Sequence, residues 1–314
     1  MTYLAVAIAA QDTEAALTAM DRAATLADLA ELRLDLMESF DLLPLLIQRP
    51  LPVIVTCRPQ REGGRWQGSE ARRLDVLREA AALGADFVDL EWDVATEAAS
   101  LDRSRTRLIL SRHDHEAMPD LAAQAAQLQA AGADVVKVVG TARGLADGVP
   151  VLRLLEAASS PTVAIAMGAS GLLTRLVAFR YPSAFLSFAA WDGRGTAPGQ
   201  ITACAMRDVF RVHAMTGETL FVGLLAPGAN ASPWLARGNA WLAAQGCNAV
   251  LVPLEPGPVQ TPLASVDCLR EVLALRGCLV DPSYGPADLC FASGESRTPS
   301  PTDDLADRLR FALG

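Results

Sequence analysis

The chain has 314 residues, 51% hydrophobic and 20% charged, with a formal net charge of −9. That balance describes a core-rich globular protein and disfavours nucleic-acid partners, because the field repels phosphate and the arginines are dispersed. No apolar run reaches the ~18 residues that read as a membrane span, and six cysteines without a CxxC, beside three histidines, form no zinc-type ligand set or disulfide framework.

The opening MTYLAVAIAAQDTEAA has no positive residue ahead of its apolar run and acids soon after it. It reads as a first strand rather than a signal peptide, so the expected location is cytoplasmic. Short apolar runs then recur: YLAVAIA, ELRLDL, PVIVTCR, DFVDLEW, RLILSRH, DVVKVV, PTVAIAM and AFLSFAA. Alanine- and leucine-rich segments with helical spacing separate them, among them DTEAALTAMDRAATLADLA, SEARRLDVLREAAALG and DLAAQAAQLQAAG. The last two end in glycine, as helices often do. This alternation predicts an α/β fold, a (β/α)8 TIM barrel over residues 1–217. A doubly wound open sheet calls for a Gly-rich turn after the first strand, and AVAIAAQDTEAA has none.

Beyond MTGET the texture changes to more Gly and Pro. TLFVGLLA, NAVLVPL and GCLVDP read as strands; SPWLARGNAWLAAQG, SVDCLREVLALRG and DDLADRLRFALG read as helices. Residues 218–314 are therefore expected to form a second, smaller α/β domain, with ASGESRTPSPTDD as an exposed loop.

Barrel chemistry sits at the C-terminal strand ends, and polar residues are dense there. Glu31, Arg33 and Asp35 alternate on one face of the second strand. The third ends at Arg58 and leads to Glu62 and Gly63-Gly64; the fourth ends in Asp89, Glu91 and Asp93; the fifth ends in His113-Asp114-His115. Arg175 follows the seventh, and WDGRGTAPGQ after the eighth is long enough to close as a lid. The sixth strand carries Lys137, the only lysine against 26 arginines. With Val135 and Val139 as same-face neighbours it would be partly desolvated, the condition that frees an amine to attack a carbonyl. His113 on the neighbouring strand is the natural proton shuttle. Lysine and histidine without a cofactor motif point to imine chemistry, which leaves dehydratase and aldolase as enzymatic readings. A non-enzymatic metabolite sensor is a third. Arg58 and Arg175 suit a small anionic substrate, better a carboxylate than a phosphate.

Together ELRLD, TCRPQREGG, DLE, SRHDH, ADVVK, MGASGLLTR and TAPGQ resemble type I 3-dehydroquinate dehydratase from the first strand to about residue 215. The resemblance implies conversion of 3-dehydroquinate to 3-dehydroshikimate with no cofactor or metal, in a homodimer with no membrane or nucleic-acid partner. It implies a Schiff base at Lys137, proton transfer by His113 and orientation of His113 by Glu62. Glu31, Arg33 and Arg58 would hold ring hydroxyls, while Arg175, Thr196 and Gln200 would grip the carboxylate. Thr196 stands where serine is common and Ala169 where a second methionine often packs, departures expected to alter affinity at most. The segment VGLLAPGANASPWLARGNAWLAAQGCNAVLVPL resembles the substrate-binding domain of shikimate dehydrogenase in eroded form. Asn230-Ala231-Ser232-Pro233 keeps one serine of that family's pair, no lysine follows Lys137, and Asp303 echoes a catalytic aspartate. No GxGxxG follows any strand, so a nucleotide-binding domain and dehydrogenase activity are not expected.

Overall fold

A computed structural model describes residues 1–191, 201–258, 262–300 and 302–314. Eight parallel strands, β1 (Tyr3–Ile8), β2 (Leu29–Arg33), β3 (Val53–Thr56), β4 (Phe87–Glu91), β5 (Arg107–His113), β6 (Val135–Thr141), β7 (Thr162–Met167) and β8 (Leu186–Ala189), form one sheet in the order β7-β6-β5-β4-β3-β2-β1-β8. The sheet curls into a barrel whose seam between β7 and β8 is held by the bridge Thr162–Ala184. Helices α1 (Thr13–Ala23), α2 (Leu42–Ile47), α3 (Glu70–Ala82), α4 (Leu121–Ala130), α5 (Gly148–Ala157) and α6 (Leu172–Val177) lie between strands. Side-chain caps start several of them: Asp12 accepts from the Ala15 amide, Ser69 from Arg72 and Asp120 from Ala123.

Two buried clusters follow from strand alternation. Ala5, Leu29, Ile54, Ile109, Val135, Val163 and Leu186 point inward and fill the barrel. Residues of the opposite parity pack outward against the helices in a larger core that continues into the C-terminal residues.

Those residues build a second sheet from β9 (Leu220–Leu225), β10 (Ala249–Leu254), β11 (Leu275–Val280), β12 (Asp288–Cys290) and β13 (Glu295–Arg297), in the order β10-β9-β11-β12-β13. The first three are parallel and the last two form an antiparallel edge. Helices α7 (Pro233–Ala244), α8 (Pro262–Arg270) and α9 (Leu305–Leu313) complete the unit. No helix among the described residues is long and apolar enough to cross a membrane.

Some boundaries differ from the sequence reading. The first helix stops at Ala23, because Leu29 and Ala30 pair in β2. The expected helix from Ser265 through Gly277 ends at Arg270, and Leu275–Val280 joins β9 instead. Part of the expected loop ASGESRTPSPTDD is strand β13, a three-residue edge too short to show alternation.

Candidate active site

Even-numbered strands deliver the central group. In a barrel of eight strands, alternate strands contribute side chains to a common layer, usually aliphatic. Here β2 supplies Glu31, β4 Asp89, β6 Lys137 and β8 Phe188. Lys137 Nζ lies 2.8 Å from Asp89 Oδ2, 3.2 Å from Glu31 Oε1 and 5.0 Å from the Phe188 ring centroid. Only 5% of Lys137 is exposed. A buried ammonium needs such partners, since leaving it unpaired is costly.

The carboxylates are themselves held. Thr56 donates to Glu31 Oε1 at 2.9 Å. Arg58 reaches Asp89 Oδ2 at 2.8 Å and Glu91 Oε1 at 2.7 Å, and Ser111 donates to Asp89 Oδ1 at 2.6 Å. Arg73 closes the far side, 2.6 Å from Glu91 Oε2. Arg58 beside Asp89 keeps that carboxyl well below the usual carboxylate range, despite burial that acts the other way. Arg58 is thus committed to acids on both terminal nitrogens, although it still lines the pocket.

One layer above, Glu62 and His113 form a pair. Glu62, on a 3-10 turn after β3, places Oε2 2.7 Å from His113 Nδ1 and 3.0 Å from the His113 amide. Burial draws the His113 imidazole well below its ordinary value, helped by the nearby cations Arg58 and Lys137. Burial pushes the Glu62 carboxyl up to about 7. Both shifts disfavour the charged forms of the two groups, and the short contact fixes the orientation of the imidazole. Gly63 adopts φ +75°, and a Cβ there would strike the His115 ring at 2.5 Å. The glycine therefore lets His115 lie against the turn that carries Glu62.

Arg175 enters from α6 on the opposite side. It is 4% exposed, and its pKa falls to about 10 through burial alone. Among the described residues it has no acidic partner. A buried guanidinium left open toward a cavity is a receptor for an anion.

Glu31, Arg33, Arg58, Glu62, His113, Lys137 and Arg175 all line one pocket, with His115, Val139, Ile165, Met167 and Phe188. Arg33 reaches it while bonded to Asp35 through Nε and Nη2, at 2.9 and 2.8 Å. Thr196, Gln200 and the expected lid after Trp191 lie outside the described residues.

The model of the type I 3-dehydroquinase family matches residues 4–216. The chain belongs to the type I 3-dehydroquinase family. A chloroplastic bifunctional 3-dehydroquinate dehydratase/shikimate dehydrogenase of Arabidopsis thaliana is 35% identical over 211 residues, which is 63% of this chain and 35% of that protein. This chain therefore spans about a third of that relative's length. A 3-dehydroquinate dehydratase of Desulfotalea psychrophila is 37% identical over 196 residues, 59% of this chain and 86% of that one. Among solved structures, the dehydroquinate dehydratase and shikimate dehydrogenase portion of S. pombe AroM is similar with a TM-score of 0.55 at 20% identity, covering 90% of this chain and 57% of that chain. The likeness in fold thus extends past the barrel into the second sheet.

Within this type I 3-dehydroquinase site, Asp89 is the direct partner of Lys137 that a reading of single positions passes over. Its signal was the DLE pattern, whose period of two turns both acids inward. The split between them, Asp89 to the lysine and Glu91 to the two arginines, depends on neighbouring strands.

Proposed function

We propose that residues 1–217 dehydrate 3-dehydroquinate to 3-dehydroshikimate through an imine on Lys137, in the shikimate or quinate pathway. The observation that carries this reading is the placement of Lys137, the Glu62–His113 pair and Arg175, without an acidic partner among the described residues, around one pocket. The substrate carboxylate pairs with Arg175, which sets the ring between amine and imidazole. The Lys137 ammonium cedes one proton to His113, the amine so freed attacks the ketone carbon, and return of that proton to the carbinol oxygen releases one water and leaves a protonated imine. His113 takes a proton from the adjacent carbon, whose electron pair moves toward the imine nitrogen to give an enamine. As that pair returns, the C–O bond to the β-hydroxyl breaks and His113 supplies its proton, releasing a second water. Hydrolysis of the imine consumes one water and restores the amine, so the net change is loss of one water.

Glu62 orients His113 by accepting from Nδ1, which presents Nε2 to the reacting carbon. Glu31 and Arg33 face the ring hydroxyls, and Arg58 holds Asp89 in place; Thr196 and Gln200 complete the carboxylate grip. Residues 218–314 form the second unit, and the enzyme acts as a homodimer.

Borohydride reduction in the presence of 3-dehydroquinate, followed by peptide mass spectrometry, tests the imine. The expected result is a substrate-dependent adduct on the peptide containing Lys137, absent from Lys137→Ala. Turnover without any trapped adduct, or full activity in Lys137→Ala, overturns the reading.

A further inference from the structure

The helix that delivers Arg175 has an unusual environment. Barrel helices normally bury one face and expose the other. Every residue of α6, Leu172 to Val177, is buried. It packs on β7, β8 and α5 of the barrel, and β10 of the second unit covers it as well. β10 is an edge strand, yet all six of its residues are buried, because α6 and α7 enclose it. The edge that a sheet must protect is thus protected by the helix carrying the anion-binding residue.

Three further contacts converge on the same sector. The turn after β10 brings Gly257, at φ +72°, so close that a Cβ would lie 2.2 Å from the Arg143 carbonyl and 2.9 Å from Ser170 Oγ. Arg143 follows β6, and Ser170 sits on the 3-10 turn between β7 and α6. Helix α8 packs on α5 and on the turn that precedes it. Past the end of α6, the Tyr181 hydroxyl donates to the Val272 carbonyl at 3.2 Å. On the barrel side, Thr174 donates to Gly171 O at 2.7 Å, and Ser187 donates to Arg175 O at 2.8 Å.

We propose that the second unit is a positioning element for substrate binding: by clamping α6 and the turns after β6 and β7, with Gly257 at the closest approach, it sets where Arg175 meets the substrate carboxylate. This rests on the dehydratase reading above. The second unit contributes no side chain to the pocket among the described residues, so its effect falls on affinity and leaves the imine and proton-transfer groups untouched.

The test is steady-state kinetics of the full chain bearing Gly257→Val or Tyr181→Phe. Valine cannot hold the left-handed turn or the 2.2 Å approach without displacing the turn after β6. The expected result is a KM raised roughly tenfold by Gly257→Val and roughly threefold by Tyr181→Phe, with kcat within about twofold of the unaltered chain. Tyr181→Phe removes one hydroxyl and serves if the glycine variant does not fold. A KM unchanged in every variant that folds, or a kcat that falls as steeply as kcat/KM, overturns the inference. Failure of the dehydratase reading looks different, since the unaltered chain itself then shows no turnover.

Discussion

Lys137 and Asp89 stand on strands two apart, β6 and β4, and meet at 2.8 Å across the barrel interior. The same Asp89 oxygen lies 2.8 Å from Arg58, so one carboxylate separates two buried cations. Asp89→Asn leaves those cations facing each other without that charge. Breaking a buried pair in this way costs about 3–5 kcal/mol, which corresponds to a Tm lower by about 6–15 °C. Thermal unfolding followed by circular dichroism checks this; a Tm within about 2 °C of the unaltered chain refutes it.

Glu62 carries a pH signature. Its carboxyl is raised to about 7 in the folded chain, so between the ordinary carboxylate range and about 7 the folded state holds a proton that the unfolded state has released. Stability from this group is therefore complete at low pH and drains away as pH rises through that window. His113 has the opposite sign: held below its ordinary value, it favours the folded state as pH rises through that value. Glu62→Gln removes the first effect. The Tm difference, variant minus unaltered, is expected to grow in the variant's favour between pH 5 and about 7 and to level off above, while kcat falls about a hundredfold. A difference flat with pH contradicts this.

Arg175 separates stability from function. It is a buried cation with no acidic partner among the described residues, and an apolar side chain of similar length relieves that cost. Arg175→Met is expected to melt at least as high as the unaltered chain and to raise KM by about 10–100-fold, the worth of a charge-assisted hydrogen-bond pair. A lower Tm with KM unchanged shows the arginine to be structural.

In the second unit, the Asn239 side chain donates to the Leu251 carbonyl at 2.8 Å and accepts from the Leu251 amide at 2.9 Å. This ties α7 to the middle of β10. Asn239→Leu strands both backbone groups in the interior at about 1–3 kcal/mol each. Faster amide exchange at Leu251 and its neighbours, with a Tm lower by about 4–18 °C, is the expected outcome; unchanged exchange there excludes it.

The barrel was legible because the helix-facing side of most strands is Val, Ile, Leu or Ala at period two, and α1 to α4 begin on Asp or Ser. Lys137 stood out as the one amine in an arginine-rich chain, and His113 and Arg175 by their places at strand ends. Pairings across the interior were not legible. Nothing local distinguishes Asp89, which meets the lysine, from Glu91, which is taken by Arg58 and Arg73. Arg58 read as a clamp for substrate, whereas its terminal nitrogens already hold Asp89 and Glu91. The cover that β10 places over α6 is also silent in sequence, since an apolar edge strand and an apolar central strand read alike.

The burial of Lys137 also decides what bioconjugation can do with this protein. Side-chain amines are the usual handles for fluorophores, biotin, crosslinkers and solid supports, and here the only one lies 5% exposed at the barrel's centre. An amine-directed reagent that succeeds on a side chain of the folded chain has entered the pocket, so its rate serves as a gauge of occupancy. Attachment to the outer surface runs instead through thiols, and Cys204 and Cys268 are the exposed ones among the described residues.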